Sequence, residues 1–592
     1  MGVQRSDPPM PDATEIARDA IARHGTAPVQ LLAVLHEIQR RYHGIPRAAM
    51  EVVARAFGRS VAEVEGVIGF YSFLHERPHG EYAISFSDCP VDRFLGQDEL
   101  IERLCRQLGV APGQVRDDGR VSVETTSCTG LCDQGPALLV NGRAIPALDP
   151  GRIDTIAGLI EQRRPLEQWP GAWFRVEHGI RHPGPLLEAP EQPGKALELA
   201  LELGPAGVLE RIERSGLRGR GGAGYPTALK WRYCREAPGE HHVVCNADEG
   251  EPGTFKDREL LRLRTGDLVE GMTLAAFVTG AREGFLYLRA EYGFLAAELE
   301  QHIAERRSAG LLGHTILGRE GFDFDLHLVT GAGAYVCGEE SALLNSIEGR
   351  RGTPRNRPPY PVTAGLWGRP TVVNNVESYI AACRIVLQGA EWFTRHGTER
   401  SRGTKLLSIS GDCARPGIYE LPFGTPVGEV LELCDAGEPV GVQVGGPSGT
   451  FIAPPEFARR IAYEDLSTGG AFMVFGPDRD PVAIAAQFSH FFAHESCGFC
   501  TPCRVGTALQ QRLMERICGG RGTVADLQEL EQLAGLMRQA SHCGLGHTAA
   551  NPVSDTLARY PEYYQARLQG AALQPQPGRP PADSRKEVAR DA

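Results

Sequence analysis

Four cysteines near the C-terminus constrain this chain more than any other feature. Cys497, Cys500 and Cys503 recur at intervals of three residues, and Cys543 follows later in the chain. Three closely spaced thiolates and a fourth from a distant segment match the ligand set of a cubane [4Fe–4S] cluster. Pro502 is expected to keep the cysteine loop from becoming a regular helix, so that the thiolates converge. The motif therefore predicts one-electron chemistry.

Structural zinc and ordinary core packing are the alternatives for these cysteines. Zinc sites with four thiolates usually combine two CxxC segments. Here one segment supplies three ligands and the other supplies one. The spacing favours an iron–sulfur cluster over zinc, and both over unrelated core cysteines.

Length, charge and cysteine content narrow the functional classes. A chain of 592 residues predicts several domains. A net charge of −12 argues against nucleic acid as a partner. We expect no secretion signal in the polar, proline-rich N-terminus, and no membrane span, because no apolar run approaches about 18 residues. Fifteen cysteines then indicate a cytoplasmic, reduced and metal-binding protein.

Hydrophobic periodicity and turn residues predict a multidomain α/β chain. The strands HHVVCNAD, GFLYLRAE and FDLHLVTG, with helical stretches between them, form its α/β part. The predicted segments are a helical N-terminal region (1–80), a βαββ unit similar to a thioredoxin-like domain (81–165), a Pro-rich linker (166–194), a glycine-rich α/β domain (195–400), a β-rich domain (401–480), a helical domain with the cysteine motif (481–570) and a disordered tail (571–592).

A glycine-rich segment, GLRGRGGAGYPTALKW, predicts a phosphate-binding loop. Gly219, Gly221 and Gly224 form a literal GxGxxG. The segment before it looks helical rather than extended, so the pattern is not an ordinary dinucleotide-binding Rossmann motif. A glycine loop before a helix still presents backbone N–H groups to phosphate. Lys230 lies in that helix, where its charge can neutralise a phosphate.

An acidic segment, CNADEGEPGTFKDR, follows the first predicted strand. Asp248, Glu249 and Glu251 repel one another unless hydroxyls, amides or cations offset their charge. Asn246 adds an amide. A solvated acidic turn is the alternative. The adjoining apolar strand favours a site for a ribityl chain or a nucleotide ribose.

Two further segments carry polar residues at candidate ligand positions. TGAGAYVCGEESALL places Gly338, Glu339 and Glu340 at a strand-to-helix junction. Arg357, Tyr360, Asn374 and Asn375 follow in RGTPRNRPPYP and PTVVNNVES. Adjacent asparagines offer amides that suit a heterocycle edge or a phosphate.

These motifs, in this order, resemble the FMN- and NADH-binding subunit of respiratory complex I over about residues 195–570. FYSFLHERPHG and SCTGLCDQGPALLVNGR, within the first 165 residues, resemble the small thioredoxin-like subunit that accompanies it. The two occur as separate chains in complex I. Their fusion is most similar to the diaphorase flavoprotein subunits of soluble NAD-reducing [NiFe] hydrogenases. The β subunits of NAD-dependent formate dehydrogenases are the nearest alternative.

The resemblance implies cofactors, partners and domain types. It implies FMN, NAD(H) and a [4Fe–4S] cluster, with an iron–sulfur diaphorase subunit and hydrogenase subunits as partners. Residues 195–400 would form a Rossmann-like FMN domain, and 401–480 a ubiquitin-like (SLBB) domain. The implied FMN residues are Gly219, Gly221, Gly222, Lys230, Asn246, Asp248, Glu249, Gly338, Glu339, Asn374 and Asn375. The implied NAD(H) residues are Tyr225, Glu251, Glu340, Arg357 and Tyr360.

The chain departs from this family in three NAD(H) residues. The family usually has phenylalanine at the positions of Tyr225 and Tyr360 and lysine at that of Arg357. Aromatic stacking survives these changes. Carboxylates near the nucleotide ribose would disfavour a 2′-phosphate, so the resemblance predicts NAD rather than NADP.

A larger departure concerns the thioredoxin-like domain. The family binds a [2Fe–2S] cluster there through two cysteine pairs. Cys128 and Cys132 match the second pair, whereas Ser87 and Asp92 stand at the first pair and Cys89 lies nearby. One outcome is a cluster held by Cys89, Cys128, Cys132 and an oxygen of Ser87 or Asp92. The other is a structural domain without a cluster. The two cysteines in SCTGLC have no other evident purpose, which favours retention of the cluster.

The mechanism that the resemblance implies is hydride transfer between NAD(H) and FMN, followed by single-electron relay through the [4Fe–4S] cluster. No side chain is expected to act as a catalytic acid or base. In a hydrogenase, electrons from H2 would reduce NAD+. The same module would serve complex I or a formate dehydrogenase. A non-enzymatic metal-binding scaffold is the remaining alternative, which the complete set of motifs argues against.

Overall fold

The computed structural model describes residues 12–569. Helices form both ends of this range, and three sheets lie between them. The tail predicted at 571–592 lies outside the described residues. None of the helices between residues 12 and 569 combines the length and apolar character that a membrane crossing requires.

The N-terminal helices pack against a sheet that is formed much later in the chain. Their apolar faces, including Leu31, Ile38 and Val64, share one core with Val244 and Phe285. A reciprocal Ser60–Glu63 capping box starts the fourth helix. The helices are α1 (Ala13–His24), α2 (Leu31–Tyr42), α3 (Arg47–Phe57) and α4 (Val61–Ile68).

A five-stranded sheet follows in the order β2-β3-β1-β4-β5. Strand β1 runs parallel to β3 and antiparallel to β4. Its elements are β1 (Tyr82–Ser87), α5 (Pro90–Phe94), α6 (Gln97–Leu108), β2 (Gln114–Val115), β3 (Val121–Thr126), β4 (Leu138–Val140), β5 (Arg143–Ile145) and α7 (Pro150–Glu161).

The predicted linker, 166–194, is more than a connection. It contains strand β6 (Ile180–His182) and a short helix, α8 (Pro185–Glu188). Strand β6 pairs in parallel with a strand of the later β-rich unit. Backbone pairing between distant segments leaves no local mark in a Pro-rich sequence, so the prediction missed it.

The α/β part contains a fully parallel four-stranded sheet in the order β10-β7-β8-β9. The three predicted strands are confirmed as β7, β8 and β9, and β10 was not foreseen. The elements are α9 (Lys195–Ser215), α10 (Thr227–Glu236), β7 (His242–Ala247), α11 (Lys256–Leu263), α12 (Thr265–Thr279), β8 (Glu283–Leu288), α13 (Ala296–Ser308), β9 (Asp325–Thr330), α14 (Glu340–Ile347), α15 (Pro361–Ala364), β10 (Thr371–Asn375), α16 (Val376–Gln388) and α17 (Ala390–Thr394).

The β-rich part forms a six-stranded sheet in the order β14-β13-β15-β11-β12-β6. Its central pair, β11 and β15, is parallel. The elements are β11 (Thr404–Gly411), β12 (Gly417–Pro422), α18 (Val427–Cys434), β13 (Gly441–Val444), β14 (Thr450–Ile452) and β15 (Ala471–Phe475).

A helical unit ends the described chain and carries the cysteine motif. Asp480 caps its first helix by accepting the N–H of Val482. The helices are α19 (Pro481–Glu495), α20 (Thr501–Cys518), α21 (Val524–Ala540), α22 (Gly544–Thr548), α23 (Asn551–Arg559) and α24 (Pro561–Gln565).

Candidate functional site

The candidate site lies at the carboxyl end of the parallel sheet, between β7 and β10. Strands β8 and β9 follow β7 on one side, whereas β10 joins on the other. Such a reversal of strand order leaves a crevice where ligands of open α/β sheets bind. The register pairs Asn246 with Asn375, so both amides stand at this crevice.

The glycine loop before α10 forms one wall of the crevice. Gly222 and Gly224 have φ angles of 117° and 65°, which favour glycine. A Cβ at Gly224 would lie 2.5 Å from the ring of Tyr463, whose hydroxyl donates to the carbonyl of Gly219 at 2.7 Å. Tyr463 of the β-rich unit therefore supports one side of the glycine loop, and the backbone of the loop remains open to a ligand.

Asp248 lies at the base of the crevice. Its Oδ2 atom is buried and has no hydrogen-bond partner among the described residues. Burial raises its pKa well above the usual range, and the nearby guanidinium of Arg289 opposes that rise. A buried polar atom without a partner is costly unless a ligand supplies one. Asp248 is therefore a ready acceptor for a ligand hydroxyl.

The two neighbouring glutamates are already hydrogen-bonded. Glu249 accepts the backbone N–H of Asp257, at 2.9 and 3.0 Å from its two oxygens, and the hydroxyl of Tyr292, so its carboxylate stabilises the first turn of α11. Glu251 accepts the hydroxyl of Tyr335 at 2.5 Å and the N–H of Ser448 at 2.8 Å.

Burial also changes the protonation of both glutamates. It raises the pKa of Glu249 to about 7, with the nearby Asp257 carboxylate acting in the same direction. It raises the pKa of Glu251 to about 7 against the hydrogen bonds from Tyr335 and Ser448. Both groups lie in surroundings that disfavour charge.

The second glycine loop closes the opposite wall. The side-chain amide of Asn246 donates to the carbonyl of Gly338 at 2.8 Å. Glu339 caps α14 by accepting the N–H groups of Ser341 and Ala342 at 3.0 and 2.9 Å. These bonds fix the strand-to-helix junction beside the crevice.

Five predicted residues lie together outside the cavity wall. Lys230 Nζ donates to Glu340 at 3.1 Å, and Arg357 lies 3.7 Å from Glu340 while contacting Glu339. Tyr225 and Tyr360 are 46% and 54% exposed, which leaves their rings available to a planar ligand. We call this set, Tyr225, Lys230, Glu340, Arg357 and Tyr360, the rim.

Asn374 and Asn375 have different surroundings. Asn374 is buried and accepts the indole N–H of Trp231 at 3.0 Å, so it anchors α10. Asn375 faces the cavity and donates to Asp257 at 2.6 Å. The buried ammonium of Lys256 lies 2.6 Å from Asp257, and the sequence prediction missed this cation. The sequence signal for Lys256 was its position in GTFKDR, directly after the acidic cluster.

The walls enclose a cavity of about 530 Å3, a size typical of ligand sites. The unpaired oxygens of Asp248 and Thr254 and the glycine backbone fit the hydroxyls and phosphate of FMN. Gly219, Asn374 and the rim do not line it. The predicted residues that do are Gly221, Gly222, Asn246, Asp248, Glu249, Glu251, Gly338, Glu339 and Asn375; wall residues not foreseen include Thr254, Lys256, Asp257, Tyr335, Ser448, Ser467 and Thr468.

The four C-terminal cysteines surround a second, small cavity beside the first. Cys497 and Cys500 precede α20, Cys503 lies in its first turn, and Cys543 directly precedes α22. Cys543 lines both cavities. Four thiols around one space, shielded by apolar neighbours such as Phe499 and Leu545, fit a [4Fe–4S] cluster.

The prediction for Pro502 is wrong. Pro502 lies in the first turn of α20 rather than keeping the loop from forming a helix. A proline at this position lacks only an N–H that has no intrahelical partner. It therefore helps α20 to begin between Cys500 and Cys503.

A third cluster of donors lies in the thioredoxin-like unit. The Sγ atom of Cys132 lies 3.5 Å from that of Cys89 and 3.2 Å from that of Cys128. All three thiols are buried. The structure thus brings together the three cysteines that the sequence proposed as ligands.

Two oxygen donors lie near these thiols. Ser87 Oγ accepts the N–H of Thr129 at 3.2 Å. Asp92 is completely buried, and neither carboxylate oxygen has a well-formed hydrogen bond among the described residues. Burial raises the pKa of Asp92 well above its usual range, and the nearby Ser87 opposes this only in part. A metal cluster would supply the missing partner, so the donor set fits a [2Fe–2S] centre.

Arg289 connects the thioredoxin-like unit to the cavity. Its guanidinium donates to the carbonyl of Cys128 at 2.6 Å and to that of Glu249. Glu249 directly follows Asp248 in the cavity wall. The buried thiols therefore lie close behind the acidic segment.

Three family models match the chain. The Nuo51 FMN-binding domain matches residues 212–384, and the thioredoxin-like [2Fe–2S] ferredoxin matches 17–161. The NADH-ubiquinone oxidoreductase-F iron–sulfur binding region matches 483–567. Together they cover both cysteine clusters and most of the cavity.

Relatives and solved structures extend these matches over nearly the whole chain. The chain is 41% identical to the alpha subunit of the NAD-reducing hydrogenase HoxS of Cupriavidus necator, over 93% of both chains. It is 40% identical to the F subunit of the NADH-quinone oxidoreductase of Aquifex aeolicus, over 64% of this chain and 90% of that one. A crystal structure of an NAD+-reducing [NiFe]-hydrogenase in the H2-reduced state shares 44% identity and a TM-score of 0.88, over 92% of this chain and 93% of that one. The chain therefore belongs to the family of alpha subunits of NAD-reducing hydrogenases, which is related to the F subunits of NADH-quinone oxidoreductases.

Proposed function

We propose that this chain is the diaphorase subunit of an NAD-reducing [NiFe] hydrogenase and exchanges electrons between NAD(H) and partner subunits. The similarity to the HoxS alpha subunit spans 93% of both chains and includes the thioredoxin-like unit. The similarity to the NADH-quinone oxidoreductase relative covers only 64% of this chain. The fused arrangement is therefore the observation that carries the proposal.

Bound FMN would exchange a hydride with nicotinamide and single electrons with iron–sulfur centres. The residues of the chain bind and shield it. Asp248 accepts ligand hydroxyls, the glycine loop donates backbone N–H groups to phosphate, and Lys256 contributes positive charge. The FMN residues that we propose are Gly219, Gly221, Gly222, Lys230, Asn246, Asp248, Glu249, Gly338, Glu339, Asn374 and Asn375; among them, Gly219, Lys230 and Asn374 do not line the cavity and would support the site from outside its wall.

Glu251 and the rim residues other than Lys230 would bind NAD(H). The exposed rings of Tyr225 and Tyr360 stack on planar groups, and Arg357 pairs with a phosphate. Glu251 and Glu340 place carboxylates where a ribose would lie. A 2′-phosphate would meet them at close range, so we propose NAD rather than NADP as the substrate.

The C-terminal cluster would relay electrons to a partner. Cys543 borders the FMN cavity, so few atoms separate the two sites. On the other side Phe499 and Val505 are 52% and 45% exposed. Exposed apolar side chains beside a redox centre suit a protein contact. We propose that an iron–sulfur diaphorase subunit docks there and leads to the [NiFe] subunits, in the cytoplasm.

For the N-terminal cluster we propose Cys89, Cys128, Cys132 and Asp92 as the ligands. Ser87 accepts a backbone hydrogen bond, whereas Asp92 has two buried oxygens without partners. A carboxylate also carries the negative charge that a thiolate would otherwise supply. Asp92 therefore fits the fourth position better than Ser87 does.

The domain division remains part of the proposal. Strands β11 to β15 enclose helix α18, with β11 and β15 parallel at the centre. We propose that residues 401–480 are a ubiquitin-like domain and that residues 195–400 are the Rossmann-like FMN domain. Strand β6, which precedes both domains in the chain, adds one strand to the sheet of the ubiquitin-like domain.

Anaerobic purification with native partners tests the functional proposal. We expect FMN, nickel and iron in the complex, together with H2-dependent reduction of NAD+. Molybdenum in place of nickel would move the assignment to a formate dehydrogenase, and flavin without either metal to another NADH-linked complex. Absence of flavin and of NADH-dependent dye reduction would favour a scaffold instead.

A further inference from the structure

A cluster of two histidines and one glutamate lies outside the sites described above. His75 and His79 belong to the segment between α4 and β1, and Glu124 belongs to β3. One ligand atom from each lies within 4.8 Å of the other two. We propose that His75, His79 and Glu124 bind a divalent transition-metal ion of the Zn2+ class.

The two imidazoles are held face to edge. Their ring centroids are 3.7 Å apart, at an interplanar angle of 67°. Two protonated rings at this distance would repel strongly, so neutral rings with free nitrogen lone pairs are favoured. The backbone N–H of His75 donates to Gln39 at 2.8 Å, and that of His79 donates to the carbonyl of His43 at 2.8 Å. The backbone therefore fixes both ligands in place.

Outer hydrogen bonds orient the donors. Ser122 Oγ lies 3.3 Å from His79 Nδ1, which leaves Nε2 for a metal. Ser85 donates to Glu124 Oε1 at 3.1 Å, which leaves Oε2. Metal-binding histidines and carboxylates commonly have such second partners, which set the tautomer and the orientation. Ser122 lies on β3, the strand that carries Glu124, and Ser85 lies on the adjoining strand β1.

The donor set and its surroundings suit zinc with an open position. Two histidines and a glutamate form a known three-residue zinc ligand set, with the fourth position left to water or another ligand. All three residues line a cavity of about 1120 Å3 between the N-terminal helices, the thioredoxin-like sheet and the outer edge of the parallel sheet. Three side chains thus face a space large enough for water or a small anion. The ion would also join the irregular segment 70–80 to strand β3.

Metal analysis of the full chain, purified with its clusters and flavin from zinc-supplemented cells, tests the site. We expect one zinc per chain, with X-ray absorption showing nitrogen and oxygen ligands at about 2.0–2.1 Å. Sulfur ligands at about 2.3 Å would show that zinc had entered a cysteine site instead and would overturn the proposal. Absence of zinc would overturn it as well.

Variants locate the ion. His79→Ala and the isosteric Glu124→Gln should each lower zinc content at least tenfold, with iron and FMN per chain unchanged. His327→Ala, which alters the same cavity outside the three-residue group, should keep zinc. If His79→Ala fails to fold, Glu124→Gln alone decides. Zinc retained in Glu124→Gln, or lost equally in His327→Ala, would contradict the site.

Discussion

The guanidinium of Arg258 donates hydrogen bonds to both carboxylate oxygens of Asp133, at 3.0 and 2.9 Å. Both side chains are almost completely buried. Arg258 lies on α11 beside the FMN cavity, whereas Asp133 directly follows Cys132 in the thioredoxin-like unit. This bidentate pair therefore joins two modules that resemble separate proteins.

Replacing Asp133 by Asn should loosen the thioredoxin-like unit. Breaking a buried ion pair costs about 3 kcal/mol when a charge is left alone, and here Glu259 still pairs with Arg258, so that figure is the upper bound. Hydrogen exchange of the β3 amides should show local opening that is easier by up to that amount. Asp154→Asn, in the exposed pair with Arg103, is the control and should change much less. Equal effects of the two variants would contradict a special role for the buried pair.

Asp248→Asn should have opposite effects on FMN affinity and on the stability of the FMN-free protein. Losing the second carboxyl oxygen as a partner for a ligand hydroxyl should weaken FMN binding about 10-fold. The same change removes a buried carboxyl group that burial makes costly to ionise, so the FMN-free protein should melt at a higher temperature, and the gain should be larger at high pH. Fluorescence titration and thermal unfolding measure the two effects. Glu236→Gln, on the exposed face of α10, should alter neither.

The stability of the FMN-free protein should depend on pH through Glu251. Burial raises the pKa of Glu251 to about 7 in the folded state, so folding favours its protonated form. Stability should fall as pH rises from about 4.5 to 7, by roughly 3 kcal/mol in total, and then level off. Glu251→Gln should lack this contribution, whereas the similar contribution of Glu249 should remain. The difference in melting temperature between variant and wild type should grow from pH 5 to pH 8, and a constant difference would rule this out.

Cys500→Ser should separate flavin chemistry from electron relay. Loss of one thiolate should remove about four irons per chain and abolish transfer to the partner subunits. FMN content and NADH-dependent reduction of ferricyanide should remain. Cys518→Ser, at the exposed end of α20, is the matched control and should keep both activities. Loss of FMN equal to the loss of iron would contradict this separation.

Variants at Asp92 should reveal the fourth ligand of the N-terminal cluster. Asp92→Cys should retain the [2Fe–2S] signal and shift its EPR g values towards those of an all-thiolate centre. Asp92→Ala should lose iron and the signal, because the remaining ligands leave one position open. Ser87→Ala should leave the spectrum unchanged. The reverse pattern for the two alanine variants would assign the position to Ser87.

Local patterns predicted much of this arrangement. The cysteine spacing indicated four thiols around one space, and the alternation in HHVVCNAD indicated strand β7. The acidic residues Asp248 and Glu251 follow directly from that strand, so their position beside the cavity could be inferred. Each of these signals depends on residues close together in the sequence.

The missed features depend on distant contacts. Strand β10 was read only for its asparagines, because TVVNN is too short to show alternation. Lys256 approaches Asn375 only when β7 and β10 pair. Tyr335 meets Glu251 across two separate loops. No periodicity records such pairings, so the sequence could not assign these residues to the cavity.

Strand β6 has a consequence for how the chain can be divided. It covers the outer side of β12, which would otherwise present unpaired N–H and C=O groups. Bare edges of this kind recruit other chains and promote aggregation. A fragment that begins at residue 195 would lack β6. The edge of β12 would then be unpaired, and the fragment would be prone to self-association. The connecting segment thus protects the sheet edge of the half of the molecule that follows it from pairing with other chains.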